Sequence, residues 1–158
     1  DLDTSGIIIF AKNEYIQECL IKQMNSHILK KEYIAIVSGI LNDKSGTINL
    51  PISRKDGSII ERCVSEDGQT AITDYSVIKE LDNMSVVKCV LQTGRTHQIR
   101  VHFSAIGHPL IGDFLYSSKS DFINRQALHS YHISFIHPIS NKIINIYCEL
   151  PDDMKKIG

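Results

Sequence analysis

The residues best equipped for chemistry follow Gly94, where cationic and hydrogen-bonding side chains are concentrated in one short run. They are Arg95, Thr96, His97, Gln98 and Arg100. A strand-like apolar segment precedes them and apolar residues follow, so the run is predicted to open a helix. The start of a helix already favours anions, because its first backbone N–H groups have no partner within the helix. The run therefore predicts a site for a phosphate or a carboxylate.

The directions of these side chains limit how they can act. Successive helical residues point about 100° apart, so Arg95, His97 and Arg100 cannot all contact one small group. We expect some of them to face the substrate while another turns inward.

The first residues, Asp1 to Gly6, form a second candidate. Taken alone, the sequence D-L-D-T-S-G is more typical of a turn or cap than of a catalytic site. Aspartic proteases use D-T-G, but here a serine intervenes and the chain has no second copy of the motif. The sequence excludes that class of enzyme.

Composition favours one globular domain over residues 1–158. The chain is 42% apolar and 22% charged, and its net charge of −1 lacks the strong basic bias of many nucleic-acid binders. Any RNA contact would rely on a local patch. No apolar run is long enough for a membrane helix, and the four cysteines lack a CxxC pair, so we expect reduced thiols in a cytoplasmic, monomeric protein without membrane contact.

Metal and cofactor sites find little support. The histidines form two sets without the i, i+4 pair and neighbouring glutamate of helical zinc enzymes, namely His97, His102 and His108, and His129, His132 and His137. The glycines fit neither dinucleotide-binding nor phosphate-loop spacing. We predict no metal and no cofactor. A small metal-dependent hydrolase stays as an alternative that rests on the histidines alone.

Hydrophobic periodicity indicates which elements must position these residues. Tyr33, Ala35 and Val37 should share one face of a strand, and the continuous β-branched run that starts at Ile7 is typical of a strand in the centre of a sheet. The predicted strands are 7–11, 31–39, 71–79, 84–91, 128–136 and 142–149; the helices are 13–27, capped by Asn13, and 96–105; a hairpin-like insertion covers 42–69, and 151–158 forms a frayed end. This order predicts an α+β fold with a mainly antiparallel or mixed sheet and a few helices.

Four segments, taken in order, resemble the RluA/RluD-type RNA pseudouridine synthases almost from end to end. They are DLDTSGIIIFAKN, KEYIAIVSG, TGRTHQIRVHFSAIGHPLIGDFLY and RQALHSYHISFIHP. The resemblance implies the pseudouridine synthase catalytic fold without its N-terminal strands. The family's first block begins H-R-L before the catalytic aspartate, and those residues do not precede Asp1 here, so we expect a fragment that lacks part of the site.

The resemblance also implies roles for individual residues. Asp1 corresponds to the catalytic aspartate, and Arg100 to the basic residue that pairs with it. Tyr33 corresponds to the tyrosine that stacks on the target uracil and takes part in proton transfer. The RNA-facing or helix-start residues are implied to be Arg95, Thr96, His97 and Gln98. Arg100 is expected to turn toward Asp1, while Arg95 and His97 face the RNA.

The implied reaction is the isomerisation of uridine to pseudouridine in ribosomal or transfer RNA, which needs no cofactor. Three routes stay open for the aspartate: attack at C1′, attack at C6, or removal of a proton from the sugar. The uridine must leave its stack to reach the carboxylate. RNA affinity should fall with salt, and the candidate contacts are Arg54, Lys55, Arg62, Arg95 and Arg125. A non-catalytic RNA-binding module stays as an alternative.

Overall fold

The computed structural model describes residues 1–117 and 120–158. Its strands are β1 (Ser5–Gly6), β2 (Lys30–Ser38), β3 (Ser45–Asn49), β4 (Ile52–Arg54), β5 (Arg62–Val64), β6 (Ile72–Leu81), β7 (Met84–Leu91), β8 (Leu128–Ile136) and β9 (Ile143–Tyr147). Its helices are α1 (Glu14–Asn25), α2 (Gln98–Ala105) and α3 (Asp152–Lys155). None of these helices is long and apolar enough to cross a membrane.

One large sheet organises the described residues, with the strand order β1-β8-β2-β7-β6-β3 and with β9 also paired to β8. Its neighbouring strands are antiparallel except for β1 and β8, which run parallel. A second small sheet joins β4 and β5. The prediction of an α+β fold with a mainly antiparallel or mixed sheet is confirmed.

Strand β2 lies in the interior of the sheet between β7 and β8. Ala35 and Val37 face a core that contains Phe103 of α2, with Tyr33 packed against the same cluster. Ile34 and Ile36 belong to the core on the opposite face. This two-residue alternation matches the faces predicted from the sequence and fixes the side of the sheet on which Tyr33 lies.

Helix α1 begins as predicted, because the Asn13 side chain accepts a hydrogen bond of 2.9 Å from the backbone N–H of Ile16. Leu20 then packs against Ile133 and Phe135 of β8. The four cysteines are free, as expected.

Helix α2 starts at Gln98, two residues later than predicted. His97 precedes it in the left-handed conformation, with φ of 59°, and so stands outside the helix. The Gln98 side-chain oxygen accepts from the backbone N–H of Arg95 at 2.9 Å, which closes the turn before the helix. This bond fixes the turn before the helix, and no side chain caps the helix itself within the described residues.

The prediction of a central strand over 7–11 is wrong. Only Ser5 and Gly6 pair with the sheet, at the edge of β8, and Ile8 and Phe10 are 72% and 78% exposed. From His132 onward the same edge of β8 is occupied by β9. Since a strand edge pairs with one neighbour at a time, the apolar run after Gly6 leaves the sheet.

Two further segments differ from their predictions. The insertion over 42–69 divides, because β3 pairs with β6 in the large sheet while β4 and β5 form the separate hairpin. The end of the chain is not frayed: α3 buries Met154, which is 1% exposed, against the core that contains Ile34 and Ile36. Leu150 and Ile157 pack against the same core, so several apolar contacts hold this last turn.

Candidate active site

Arg100 lies at the centre of the candidate site. Its Nε and Nη2 donate to Asp113 Oδ2 and Oδ1 at 2.7 and 2.8 Å, while its Nη1 lies 3.9 Å from Asp1 Oδ2. The Tyr116 ring lies under the guanidinium, 5.0 Å from ring centre to Cζ. The structure thus brings Arg100 to Asp1. Arg95 instead donates from its Nε to the Thr70 carbonyl.

Asp113 was not identified from the sequence, although it holds Arg100 most closely. It is fully buried, and Oδ1 also accepts from the backbone N–H groups of Leu115 and Tyr116 at 3.1 and 3.3 Å. A buried arginine needs such a partner, because an unpaired charge inside a protein is strongly destabilising. The sequence feature that could have identified Asp113 is its position as the one carboxylate within the apolar stretch Leu110 to Leu115.

Gly112 helps to place this carboxylate. Its φ is 72°, and a Cβ there would lie 2.3 Å from the Arg125 carbonyl oxygen. Only glycine fits at this point. The chain can therefore pass close to Arg125 just before it presents Asp113 to Arg100.

The Asp1 carboxylate lies between two basic side chains. Its Oδ1 is 3.9 Å from His97 Nε2, its Oδ2 is 3.9 Å from Arg100 Nη1, and its side chain is 18% exposed. Both separations are longer than hydrogen bonds, and only the Arg100 guanidinium carries a permanent charge. The carboxylate is thus held in a positive field while its oxygens stay available to a substrate.

Two side chains hold the N-terminal loop of residues 1–4 against the sheet. Arg125 Nη1 donates to the Asp3 carbonyl at 3.1 Å, and Gln126 Nε2 donates to the Leu2 carbonyl at 2.7 Å. Arg125 also forms a bidentate pair with Asp153 at 2.8 and 3.0 Å. The expectation that Arg125 contacts RNA therefore does not fit its surroundings, since its guanidinium is already occupied by the protein.

His97, which we expected to face the RNA, lies beside Asp1. Its Nδ1 lies 2.8 Å from the Tyr116 hydroxyl, and that hydroxyl accepts the backbone N–H of Arg62 at 2.9 Å. A hydroxyl that donates to Nδ1 leaves the imidazole proton on Nε2, on the side of Asp1. Burial, followed by the charges of Arg100 and Arg62, lowers the pKa of His97 to about 4. At neutral pH, His97 is a neutral donor directed at the carboxylate.

Gln98 does not fit the predicted contact with RNA. It is 2% exposed, and all four of its hydrogen-bonding positions are used within the protein. Its Oε1 accepts from Thr93 Oγ1 and the Arg95 N–H, and its Nε2 donates to the Ile72 carbonyl and Thr73 Oγ1. Gln98 fixes the start of α2 to β6.

Arg95 and Thr96 are exposed, as an RNA-facing role requires. They line a groove of about 450 Å³ together with Arg54 and Arg62 of the β4–β5 hairpin, and one acidic residue, Asp67, also lines it. Arg54 and Arg62 stand directly opposite each other in the hairpin register. Like charges in this arrangement are unfavourable unless an anion lies between them.

Tyr33 is half-buried on β2, across β8 from the segment that carries Asp1. Tyr33 pairs with Ser130, and Ser130 pairs with Gly6. Two strand spacings place the backbones of Tyr33 and Gly6 roughly 10 Å apart. Burial raises the pKa of Tyr33, and the Ser130 hydroxyl opposes part of that change. Gly6 approaches Ser130 so closely that a Cβ would lie 2.2 Å from its carbonyl oxygen.

Within residues 1–117 and 120–158, no cluster of three or more metal-binding side chains is present. The arrangement instead offers the Asp1 carboxylate, the fixed Arg100 cation, the neutral N–H of His97 and the aromatic ring of Tyr33. This set can attack or deprotonate a polar substrate.

Comparison with known proteins agrees with the resemblance seen in the sequence. The family described as RNA pseudouridylate synthase matches residues 1–105. The uncharacterized RNA pseudouridine synthase YjbO of Bacillus subtilis is 46% identical over 157 residues, which cover 99% of this chain and 56% of that protein. Ribosomal large subunit pseudouridine synthase D of Zymomonas mobilis is 39% identical over 166 residues, which cover 98% of this chain and 52% of that protein. The chain spans about half the length of these curated relatives.

The fold agrees as well. Human RNA Pseudouridylate Synthase Domain Containing 1 superposes with a TM-score of 0.74 at 26% identity, over 88% of this chain and 62% of that one. The family match, the two relatives and the superposition confirm the resemblance stated from the four sequence blocks. The chain belongs to the RNA pseudouridylate synthase family.

Proposed function

We propose that this chain carries the catalytic centre of an RNA pseudouridine synthase, with Asp1 as the catalytic residue. The observation that carries the proposal is the Asp1 carboxylate, placed 3.9 Å from both Arg100 and His97. The N1–C1′ bond of uridine breaks, a C5–C1′ bond forms, the C5 proton leaves and N1 gains a proton. The reaction is an isomerisation, so no electrons enter or leave.

Each neighbour of Asp1 has a distinct part in this proposal. Arg100 places a positive charge 3.9 Å from the carboxylate and is itself fixed by Asp113. His97 supplies an N–H donor to the carboxylate or to a substrate oxygen beside it. Tyr33 offers an aromatic face on which a flipped uracil can stack. The three routes for the aspartate, at C1′, at C6 or by sugar deprotonation, remain alternatives.

The proposed substrate is structured RNA, with ribosomal RNA of the large subunit as the first candidate and transfer RNA as the second. Relatives named ribosomal large subunit pseudouridine synthase D, at 32 to 39% identity, support this order. Mapping pseudouridines in RNA from a strain that lacks the gene will identify the modified position. We further propose a monomer that acts in the cytoplasm, which light scattering and cell fractionation will test.

The test of the function is release of tritium from RNA that carries 5-tritiated uridine. The protein expressed from its complete gene should release tritium, and Asp1→Asn should lower the rate by roughly 1,000-fold or more. Asp3→Asn is the matched control, because Asp3 is exposed and holds its loop through its backbone carbonyl. Equal release by Asp1→Asn and the parent protein contradicts the assignment. RNA binding without release by the parent protein supports a non-catalytic module instead.

A further inference from the structure

Lys31 is a half-buried lysine without a counter-charge. Its Nζ has one polar neighbour among the described residues, the Met24 sulfur at 3.8 Å, and no carboxylate of that part of the chain lies within ion-pair distance. Burial lowers the pKa of its ammonium, and no neighbouring charge opposes that change. A half-buried ammonium with no carboxylate beside it among the described residues can take an anionic ligand as its partner.

Lys31 also faces the side of the sheet that carries Tyr33. The two residues are separated by one position on β2, so their side chains point to the same face about 7 Å apart along the strand. The ammonium lies against the backbone at Gly94, where an added Cβ would be 3.2 Å from Nζ. Lys31 therefore links the strand of Tyr33 to the loop that starts the run of basic residues.

A cleft of about 280 Å³ opens at this point, and its charged or titratable side chains are all basic. Its polar lining includes Lys31, His27, Arg95 and the backbone at Thr93 and Gly94, and no acidic side chain lines it. Two permanent cations and a titratable imidazole without a carboxylate make a site for an anion.

We propose that this Lys31 cleft binds a backbone phosphate of the substrate RNA beside the target nucleotide. The proposal rests on the proposed function, since Tyr33 is the platform for the uracil. The separation of Lys31 from Tyr33 is on the scale of one nucleotide, so a base on Tyr33 places its own or an adjoining phosphate near the ammonium. The phosphate supplies the counter-charge that the described residues do not place beside Lys31.

The test compares Lys31→Met with Lys30→Met in the complete protein. Both changes remove one positive charge from β2, but Lys30 is exposed and lies outside the cleft. The probe is a transcript of large-subunit ribosomal RNA, and the measurement is the dissociation constant at a series of salt concentrations. Lys31→Met should reduce the slope of log affinity against log salt by about 1 and weaken binding roughly tenfold near 0.1 M salt. Lys30→Met should leave both close to the parent values.

A second variant and a stability measurement keep the result decisive. Gly94→Ala places a methyl group against the ammonium and should reproduce part of the loss of affinity. Lys31→Met should unfold at the same temperature as the parent protein or higher, because a desolvated charge is replaced by an apolar chain. An unchanged salt slope in a folded Lys31→Met protein overturns the proposal. If the parent protein binds RNA but releases no tritium, the proposed function fails while the salt slope still decides the phosphate site.

Discussion

The site holds its arginines in two opposite ways. Arg100 is buried, bonded at two points to Asp113 and covered by Tyr116. Arg54 and Arg62 face each other on the β4–β5 hairpin, and neither forms an ion pair with a carboxylate of the described residues. Arg62 Nη1 does donate to the Ile60 and Glu61 carbonyls, both at 3.0 Å, so Arg54 is the more available of the two. In the proposed function, the first arrangement fixes a cation beside Asp1, whereas the exposed Arg54 guanidinium is accessible to an RNA phosphate. The environment of each arginine thus separates positioning from binding.

The largest expected effect comes from removing the fixed partner. Asp113→Asn leaves the Arg100 cation buried without a counter-charge and should lower the free energy of unfolding by about 3–5 kcal/mol. Urea denaturation measures this change. Asp82→Asn, at the exposed turn between β6 and β7, should stay within about 0.5 kcal/mol of the parent protein. Similar losses in both variants would show that Arg100 does not depend on Asp113.

The second effect concerns the hydroxyl that orients His97. Tyr116→Phe keeps the ring under Arg100 but removes the bond to His97 Nδ1. We expect kcat for tritium release to fall roughly 10- to 100-fold, because the imidazole loses its fixed orientation. KM should change little. The control is Tyr15→Phe on the exposed side of α1, and a Tyr116→Phe protein with its full kcat would remove His97 from the set of positioned groups.

Substitution of Arg54 should give a smaller effect that depends on salt. Arg54→Gln should weaken RNA binding about tenfold near 0.1 M salt and reduce the salt slope by about 1. The same change should stabilise the protein by a few tenths of a kcal/mol, since it relieves the opposition to Arg62. Binding assays and thermal unfolding measure the two changes. Lys142→Gln, at the exposed turn before β9, should alter neither.

A different kind of effect is a dependence of stability on pH. The unfolded state takes up a proton on His97 as the pH falls below 6.5, whereas the folded state resists protonation until about pH 4. Stability should therefore decline as the pH falls from 6.5 to 4, and His97→Gln should make the decline shallower. Some slope should remain, because burial also lowers the pKa of His102. Unfolding free energies measured across this range test the assignment, and parallel curves for both proteins would contradict it.

Local patterns predicted much of the fold. Alternation gave both faces of β2, and the Asn13 cap and the apolar spacing gave α1. The strand predicted over residues 7–11 was wrong, because β-branched composition does not reveal that β9 already occupies the edge of β8. Competition between distant segments for one strand edge has no local signal.

The candidate site was also predicted only in part. The resemblance identified Asp1 and Arg100, and the structure places these two side chains together. Asp113 was missed, and Gln98 and Arg125 were assigned to RNA, because the sequence shows that a group is polar without showing which group satisfies it. Gln98 is saturated by partners on β6 and in its own turn, and Arg125 by Asp153 and the Asp3 carbonyl.

The pairing of Ser5 with His129 also determines when the centre can form. Ser5 Oγ lies 2.9 Å from His129 Nδ1, a contact that spans 124 residues of sequence, and Arg125 reaches Asp3 across 122. Contacts of such high sequence separation form late, because a long loop must close first. During synthesis from the N-terminus, Asp1 is made among the first of these residues but cannot be positioned until β8 has left the ribosome. Catalytic competence should therefore be among the last properties that a growing chain acquires.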